Sequence, residues 1–570
     1  MRRLLATVAL TSLLVFSSSS IPLAPRALGQ RKSNKTAKAA PVSLASQRGA
    51  DTITAAELKD YLSFIASDEM EGRDTPSRGL DTIAKFLATN LSHWGFKPAG
   101  DDGTYFQKIG LVRDYIDRSA TQMQLNGQTL VFGDDYIPLS RNADISAPLV
   151  FAGNGWFVKA KNIDAYKGID AKGKIAVIFS TPDAFPRGIT RTDIAGKRGE
   201  DWMNAVEYAA KQGVVGIITI PDFQFLANWD RNRTRITERG VTTVEKFKTP
   251  NTSGVARIVG GAELPSIIVA PRIANAIFQG EKQTASALFE SVYGGKIPES
   301  FELNPEKKMA MRVTTKTDRA ATQNVVAVFE GGDPVLKDEY VALGAHYDHV
   351  GIGLPVNGDA IYNGADDDGS GTTALLAIAE ALAKAPKRPK RSVLFVWHAG
   401  EEKGLWGSHY FTDYPTIPLE KIVTQINIDM IGRSKKEGDT NPRNNNLSGP
   451  NEVYVIGSKM MSTELGEITE TVNKNYLNLA FNYRYDDPTD PNRFFFRSDH
   501  YNYAKKGIPI VFFFDGEHED YHRPGDEVQK IDFQKMEKIT RTVYMLLWEV
   551  ANRATRPKVD KQLPAQLSGG

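Results

Sequence analysis

The 570-residue chain carries 70 Lys and Arg against 68 Asp and Glu, is 41% hydrophobic and contains no cysteine. A chain this long divides into more than one core-forming unit, and its 48 Gly, 29 Pro and 24% charged residues exclude coiled-coil, collagenous and wholly disordered classes. The missing cysteines exclude disulfide scaffolds, zinc fingers, iron–sulfur centres and thiol nucleophiles, so any metal is held by His, Asp and Glu.

Residues 1–50 hold eight Lys/Arg and no acid, leaving 62 basic and 68 acidic residues after them. The body is therefore mildly acidic and carries no basic stripe for nucleic acid. Arg2 and Arg3 precede an apolar run over 4–16, four serines and the small residues around Ala27-Leu28-Gly29. That layout predicts a signal peptide over 1–29 and a secreted or periplasmic product. No later stretch reaches the roughly 20 apolar residues of a membrane span, so no stable membrane insertion is expected after cleavage. Residues 30–50 read as a basic, solvated linker.

From about 54 to 107 the pattern is helical: Leu58, Leu62 and Ile65, then Ile83, Phe86, Leu87 and Leu91, recur at three- and four-residue spacing. Gly95 and Pro98 close it. Between about 125 and 300 short β-like runs follow at 147–152, 174–180, 214–220 and 266–270, separated by turn residues, with one helix expected over 202–212. From about 315 to 552 strands alternate with helices, which predicts an α/β fold with a mixed, mostly parallel sheet flanked by helices. The tail, 553–570, is polar and expected to be loose. No internal repeat is found.

Seven of the eight histidines fall between His346 and His522. Four apolar runs in that region each end in a potential metal ligand: His346-Tyr347-Asp348, Glu401-Glu402, Asp429, and the loop carrying His522. Ligands bind outside the carboxyl ends of strands in open parallel sheets. A further segment, Asp366-Asp367-Asp368, precedes an Ala/Leu-rich helix starting near Thr372, and three adjacent carboxylates repel one another without a cation. Imidazole and carboxylate donors suit zinc. His346, Asp367, Glu402, Asp429 and His522 are too many for one catalytic zinc, but they suffice for two Zn²⁺ ions if a carboxylate bridges. Glu402 then reads as a ligand and Glu401 as the general base, while Asp348 would orient the His346 ring by accepting its other N–H. His349, His398 and His409 read as structural or surface groups. His518-Glu519-Asp520-Tyr521-His522 fits H-E-x-x-H, but Asp515-Gly516 before it and Pro524-Gly525 after it argue against the helix that motif requires. His522 is kept as a ligand and His518 is not.

In this order, His346-Tyr347-Asp348, the Gly364 to Gly371 segment, Glu401-Glu402, Asp429-Met430, Ser498-Asp499-His500 and Tyr521-His522 resemble the M28 family of co-catalytic zinc peptidases. The loop Asp68-Glu69-Met70-Glu71-Gly72-Arg73 resembles the start of family members, and residues 125–305 look like an inserted, mainly β protease-associated (PA) domain. The resemblance implies that Asp367 bridges two zincs, since the family's bridging Asp stands three residues before Ser370-Gly371. His346 and Asp429 would complete one site, Glu402 and His522 the other, and the peptide after Asp367 would be cis. It further implies a catalytic domain in two parts, 51–124 and 306–552, and an exported aminopeptidase acting on peptide substrates with a metal-bridged water as nucleophile. Carboxypeptidase or dipeptidase action, using Arg433, Arg493 or Arg497 to catch a carboxylate, and a non-catalytic receptor-like module remain alternatives. Phe494-Phe495-Phe496 and residues 512–514 either line an apolar pocket or are buried strand residues; for 512–514 the second reading is favoured. Oligomeric state is not legible.

Overall fold

The computed structural model describes residues 44–139, 142–179, 185, 188–194, 196–247 and 264–562. The expected signal segment and most of the expected linker lie outside them. Among the described residues no helix is long and apolar enough to cross a membrane.

A ten-stranded mixed sheet carries the functional half of the molecule. Its centre is parallel: Ser392–His398, Tyr340–His346, Ile422–Ile428 and Ile510–Phe514 lie side by side in that order. Both flanks are antiparallel, with Thr315–Phe329 and Phe106–Ile116 on one side and Glu452–Ile456 on the other. Both faces of the central strands are buried. Val341, Leu343, Phe395, Ile426 and Phe513 meet the helices Ala55–Ile65, Gly369–Lys384 and Phe533–Asn552, while Ala342, Leu394, Val396 and Phe512 face the other layer with Phe411 and Tyr503. Burial on both faces explains why these strands read as continuous apolar runs. Each fully buried Leu, Ile or Phe contributes roughly 1.5–3 kcal/mol. The helix expected from Thr372 starts three residues earlier, at Gly369, because the Asp368 carboxylate caps it by accepting from the Gly371 amide.

The chain leaves this sheet after Ile116, touches its edge again with Val241–Val244 and rejoins it at Thr315. In between, a nine-stranded sheet forms, with Ala143–Phe151, Ile175–Phe179, Gly216–Ile220 and Ser266–Val269 parallel at its centre. Its strands run from Gln122 to Val313, wider than the expected 125–305. The helix expected over 202–212 is shorter: Trp202–Met203 is extended, and Asn204 caps Ala205–Lys211 in a reciprocal box with Glu207.

Two expectations at the chain ends are corrected. The last seven residues of the expected linker, Leu44–Ala50, form a helix packed on Phe533–Asn552, so close that a side chain at Gly49 would overlap the Tyr544 hydroxyl. The polar composition hid this contact, in which Ser46 and Ala50 are buried. The start of the expected loose tail is also tied down: Arg556 pairs with Glu339 at 2.8 Å, and Asp560 accepts from the Thr463 amide at 2.8 Å.

One buried ion pair joins the C-terminal helix to the end of the Ile510–Phe514 strand. Lys535 Nζ lies 2.9 Å from Asp515 Oδ1 and donates to the Arg433 carbonyl and the Ser448 hydroxyl, each at 2.8 Å. Removing one member strands a buried charge, whereas an apolar pair of similar volume does not. Lys535→Met is expected to cost about 3–5 kcal/mol in urea unfolding, and Lys535→Met/Asp515→Val less than the single change. A single-variant loss below about 1 kcal/mol would contradict the assignment.

Candidate functional site

The parallel centre delivers its chemistry to one edge. His346 is the last residue of Tyr340–His346, Glu401-Glu402 follow Ser392–His398, Asp429 follows Ile422–Ile428, and His522 lies in the loop after Ile510–Phe514. Asp367 stands two residues ahead of the helix Gly369–Lys384, and the Asp367–Asp368 peptide is cis.

These residues converge on the Asp367 carboxylate. Its Oδ1 lies 3.3 Å from His346 Nε2, which is itself 3.6 Å from Asp429 Oδ2. Its Oδ2 lies 3.1 Å from His522 Nε2, which is 3.0 Å from Glu402 Oε2. Glu401 stays off this ring of contacts, with Oε2 4.0 Å from His346 Nε2 and its amide donating to Asp348 Oδ1 at 3.1 Å. The expected role of Asp348 is modified: His346 Nδ1 is nearer to the Asp348 carbonyl (3.2 Å) than to its carboxylate (3.6 Å), which is taken up by the Glu401 amide and the Thr75 hydroxyl.

Asp368 also lies near His346 and Asp429. However, it accepts from three backbone amides, those of His346, Gly371 and Met430. Asp367 Oδ2, Glu402 Oε1 and His522 Nε2 are buried and have no hydrogen-bond partner among the described residues. Buried polar atoms left open cost free energy unless something pairs with them. A cluster of open carboxylate oxygens and imidazole nitrogens within a few Å fits a hard-to-borderline divalent cation such as zinc.

The two adjacent glutamates are driven apart in proton affinity. Burial raises Glu401, and the neighbouring carboxylates Glu402, Asp429 and Asp499 add to it against the pull of His346, leaving it well above the ordinary range. Burial and Asp367 also act to raise Glu402, but its contacts with His349 and His522 bring it down to about 2. Two neighbouring carboxyls with opposed affinities are suited to different tasks.

Sequence reasoning missed three neighbours. His349, read as structural or surface, is buried with Nδ1 2.9 Å from Glu402 Oε1 and 3.7 Å from Asp367 Oδ2; its position three residues past His346 at the same strand end was the available signal. Ser498 donates to Asp429 Oδ2 at 2.6 Å, and the Tyr521 ring stacks on His522 at 3.9 Å. Their motifs were visible, but the contacts depend on folding. His398 is buried between Asp499 and Tyr503, and His409 pairs with Asp413 near the surface. Residues 518–522 are not helical, and His518 points away from the Asp367 cluster, 3.3 Å from Asp366.

A cleft opens beside Asp367, Glu401 and Asp429, walled by Met430, Phe494, Phe512 and Phe514. Phe512 and Phe514 are at once buried strand residues and cleft wall, so both readings of that run hold. At the rim Arg497 is bound to Glu517 at 2.6 Å.

Residues 324–547 match the model of peptidase family M28. Every residue of the cluster falls inside that span. The chain is 29% identical to leucine aminopeptidase 2 of Arthroderma otae over 218 residues, 38% of this chain and 38% of that protein. It is 39% identical to the probable leucine aminopeptidase 2 of Aspergillus oryzae over 120 residues, 21% of each. The matches thus span well under half the length of these relatives. The solved aminopeptidase from Aneurinibacillus sp. strain AM-1 superposes with a TM-score of 0.50 at 15% identity, covering 91% of this chain and 98% of that one, which shows a common fold.

Behind the cluster, His500 stacks on Phe512 at 4.4 Å, with Nε2 2.8 Å from the Phe495 carbonyl. Burial pushes the imidazole down to about 3, against the pull of that carbonyl and Asp499. An unfolded imidazole titrates near 6.5, so between those values the unfolded chain binds the extra proton. The contribution is complete above about pH 6.5 and is lost as pH falls, at about 1.4 kcal/mol per pH unit. His500→Gln keeps a donor for Phe495 and removes the titration. Its unfolding free energy should therefore fall less than wild type between about pH 7 and pH 5, by about 2 kcal/mol; equal slopes in urea unfolding would count against a neutral buried His500.

Proposed function

We propose that this protein is an exported, zinc-dependent aminopeptidase that removes amino-terminal residues from peptides. The observation that carries the proposal is the Asp367 carboxylate, one oxygen beside His346 and Asp429 and the other beside His522 and Glu402. His346, Asp367 and Asp429 would hold one zinc, and Asp367, Glu402 and His522 the other, with Asp367 shared. His522 is preferred to His349 because its side chain is 38% exposed and Nε2 lies 3.1 Å from Asp367 Oδ2, whereas His349 is enclosed and 3.7 Å from that oxygen. Asp368 is set aside because its oxygens are taken by amides. When bound, zinc polarises a carbonyl and makes water acidic enough to attack near neutral pH.

The chain's own groups supply proton transfer and substrate placement. Glu401 stands beside the cluster, Oε2 4.0 Å from His346 Nε2 and its amide held by Asp348, so it accepts the proton of the attacking water and returns it to the departing amine nitrogen. The amide C–N bond breaks, giving a free amino acid and a peptide shortened by one residue. Asp348 holds Glu401 by its backbone amide and steadies the His346 strand end. The cleft is lined by Asp367, Glu401, Asp429 and Glu517 against the single guanidinium of Arg497, which is already paired. Of the other two arginines considered for a carboxylate, Arg433 is bound to Asp520 and Arg493 lies over the Phe496 ring. With zinc bound, Asp367 and Asp429 are taken up as ligands and Glu517 is paired with Arg497, so Glu401 is the acid left to a free α-amine, and each of the three arginines considered for a carboxylate is already engaged. The aromatic wall with Met430 suits an apolar terminal side chain. The names of the two fungal relatives agree with this reading, as does the M28 match over 324–547. The lobe between Gln122 and Val313 is read as the protease-associated insert, and export rests on the residue pattern of 1–29.

The test is hydrolysis of aminoacyl chromogenic amides, their N-acetylated forms and N-blocked peptides with free carboxyl ends, using the chain without its first 29 residues. Only the free-amine amides should be cut, apolar residues best, with activity lost on chelation and restored by zinc. Glu401→Gln should keep its zinc and lose about 10²–10⁴-fold in kcat. Cutting of only the N-blocked peptides would reassign the enzyme to the carboxypeptidases, and a zinc-free protein would point to a binding module.

A further inference from the structure

The segment that presents Asp367 belongs to no helix or strand. Asn363-Gly364-Ala365-Asp366-Asp367 joins the hairpin strand Asp359–Tyr362 to the helix Gly369–Lys384 and includes Gly364 at φ +57°, where a side chain would strike the His349 ring and the Asp367 carbonyl. It is held instead from both sides by two buried charged groups that do not line the cleft.

On the carbonyl side stands Arg73. Its guanidinium is fully buried and its hydrogen bonds go to backbone carbonyls; Nη1 donates to the Asn363 carbonyl at 2.6 Å and Nη2 to the Gly364 carbonyl at 2.9 Å. The same guanidinium binds the carbonyls of Tyr347 (3.0 Å) and Ile65 (2.9 Å), so it also ties the segment to the strand end beyond His346. On the amide side stands Asp526, likewise buried. Its carboxylate accepts from the amides of Asp366 and Asp367 at 3.1 Å, and its carbonyl accepts from the Ala365 amide at 3.0 Å. Arg433 Nη1, 3.6 Å away, and His518 Nε2, 3.9 Å away, lie against the same carboxylate. Five consecutive residues are thereby held: the carbonyls of Asn363 and Gly364 by a cation, the amides of Asp366 and Asp367 by an anion, which are the strong pairings, and the Ala365 amide by the Asp526 carbonyl.

We propose that Arg73 and Asp526 are positioning residues for Asp367, a two-sided clamp on the backbone that sets where its two oxygens lie. This rests on Asp367 being the shared zinc ligand. A ligand to two ions must be placed for both at once, so a small displacement of its backbone weakens both sites together. Supporting contacts of this kind are worth about 10–100-fold in metal affinity.

The experiment uses the whole chain and zinc alone, measuring zinc retention by competition with a chromophoric chelator, together with thermal midpoint, kcat and KM. Asp526→Asn replaces one accepting oxygen by an NH₂ that opposes the amides, and Arg73→Lys keeps the charge but loses the fork. Each should weaken zinc retention by about 10–100-fold, with kcat at limiting zinc falling, recovering in excess zinc, and KM unchanged. The double variant should fall short of the product of the two, since both act on one segment. If Asp526→Asn does not fold, Asp526→Glu, which keeps the acceptor but displaces it, should show the same loss in smaller measure. Wild-type zinc retention in these variants, with only the thermal midpoint lowered, would overturn the clamp and leave a structural role. Asp367→Ala separates the two levels: if it loses zinc while the clamp variants keep it, the clamp alone is wrong; if it keeps zinc, the ligand reading fails and the clamp with it.

Discussion

Too many carboxylates are buried at one sheet edge for this protein to tolerate without compensation, and most of the local structure answers that constraint. Asp348, Asp366, Asp367, Asp368, Asp499 and Asp526 are buried in one region with Glu402 and Asp429. Like charges at such spacing cannot all remain ionised without partners. Several are satisfied by backbone: Asp368 by three amides, Asp526 by two, Asp366 by the amide of Gly432, and Asp348 by the Glu401 amide and the Thr75 hydroxyl. Asp367 and Glu402 keep open oxygens facing imidazoles. Asp366 and Asp499 keep open oxygens as well, beside His518 and His398, so imidazoles stand against each open carboxylate of this set.

The buried cations obey the same logic. Arg73 binds carbonyls rather than acids, so its charge remains available to the whole cluster, and the field of Asp348 and Asp367 in turn supports its protonation against burial. Arg433 and Lys535 form a second line behind the loop that carries His522, through Asp520, Asp526 and Asp515. The loop is therefore anchored at its start, its middle and its end.

The second sheet is not simply appended. The strand Val241–Val244, from the same intervening stretch of chain, pairs with Phe106–Ile116 on the edge of the first sheet, and Phe247 stacks on His409 at 4.2 Å. Val244, Trp406 and Tyr410 pack into one small cluster on the helix Trp406–Asp413, which begins four residues after Glu402. Packing from the second lobe thus reaches the element that comes after the two glutamates.

The residue order alone determined the parallel centre and the placing of His346, Glu401-Glu402, Asp429 and His522 after its strands, because these depend on apolar runs and on the polar residues that end each run. It also argued against the helical H-E-x-x-H reading, since Gly and Pro on either side disfavour a helix. Only the tertiary structure decided that His349 lies against Glu402, that Asp348 serves Glu401 as much as His346, that Leu44–Ala50 is a packed helix, and that Asp526 and Arg73 grip the Asp367 segment. Those contacts join residues up to several hundred positions apart, and a contact between distant positions is set by how sheets and helices pack, which local periodicity does not encode.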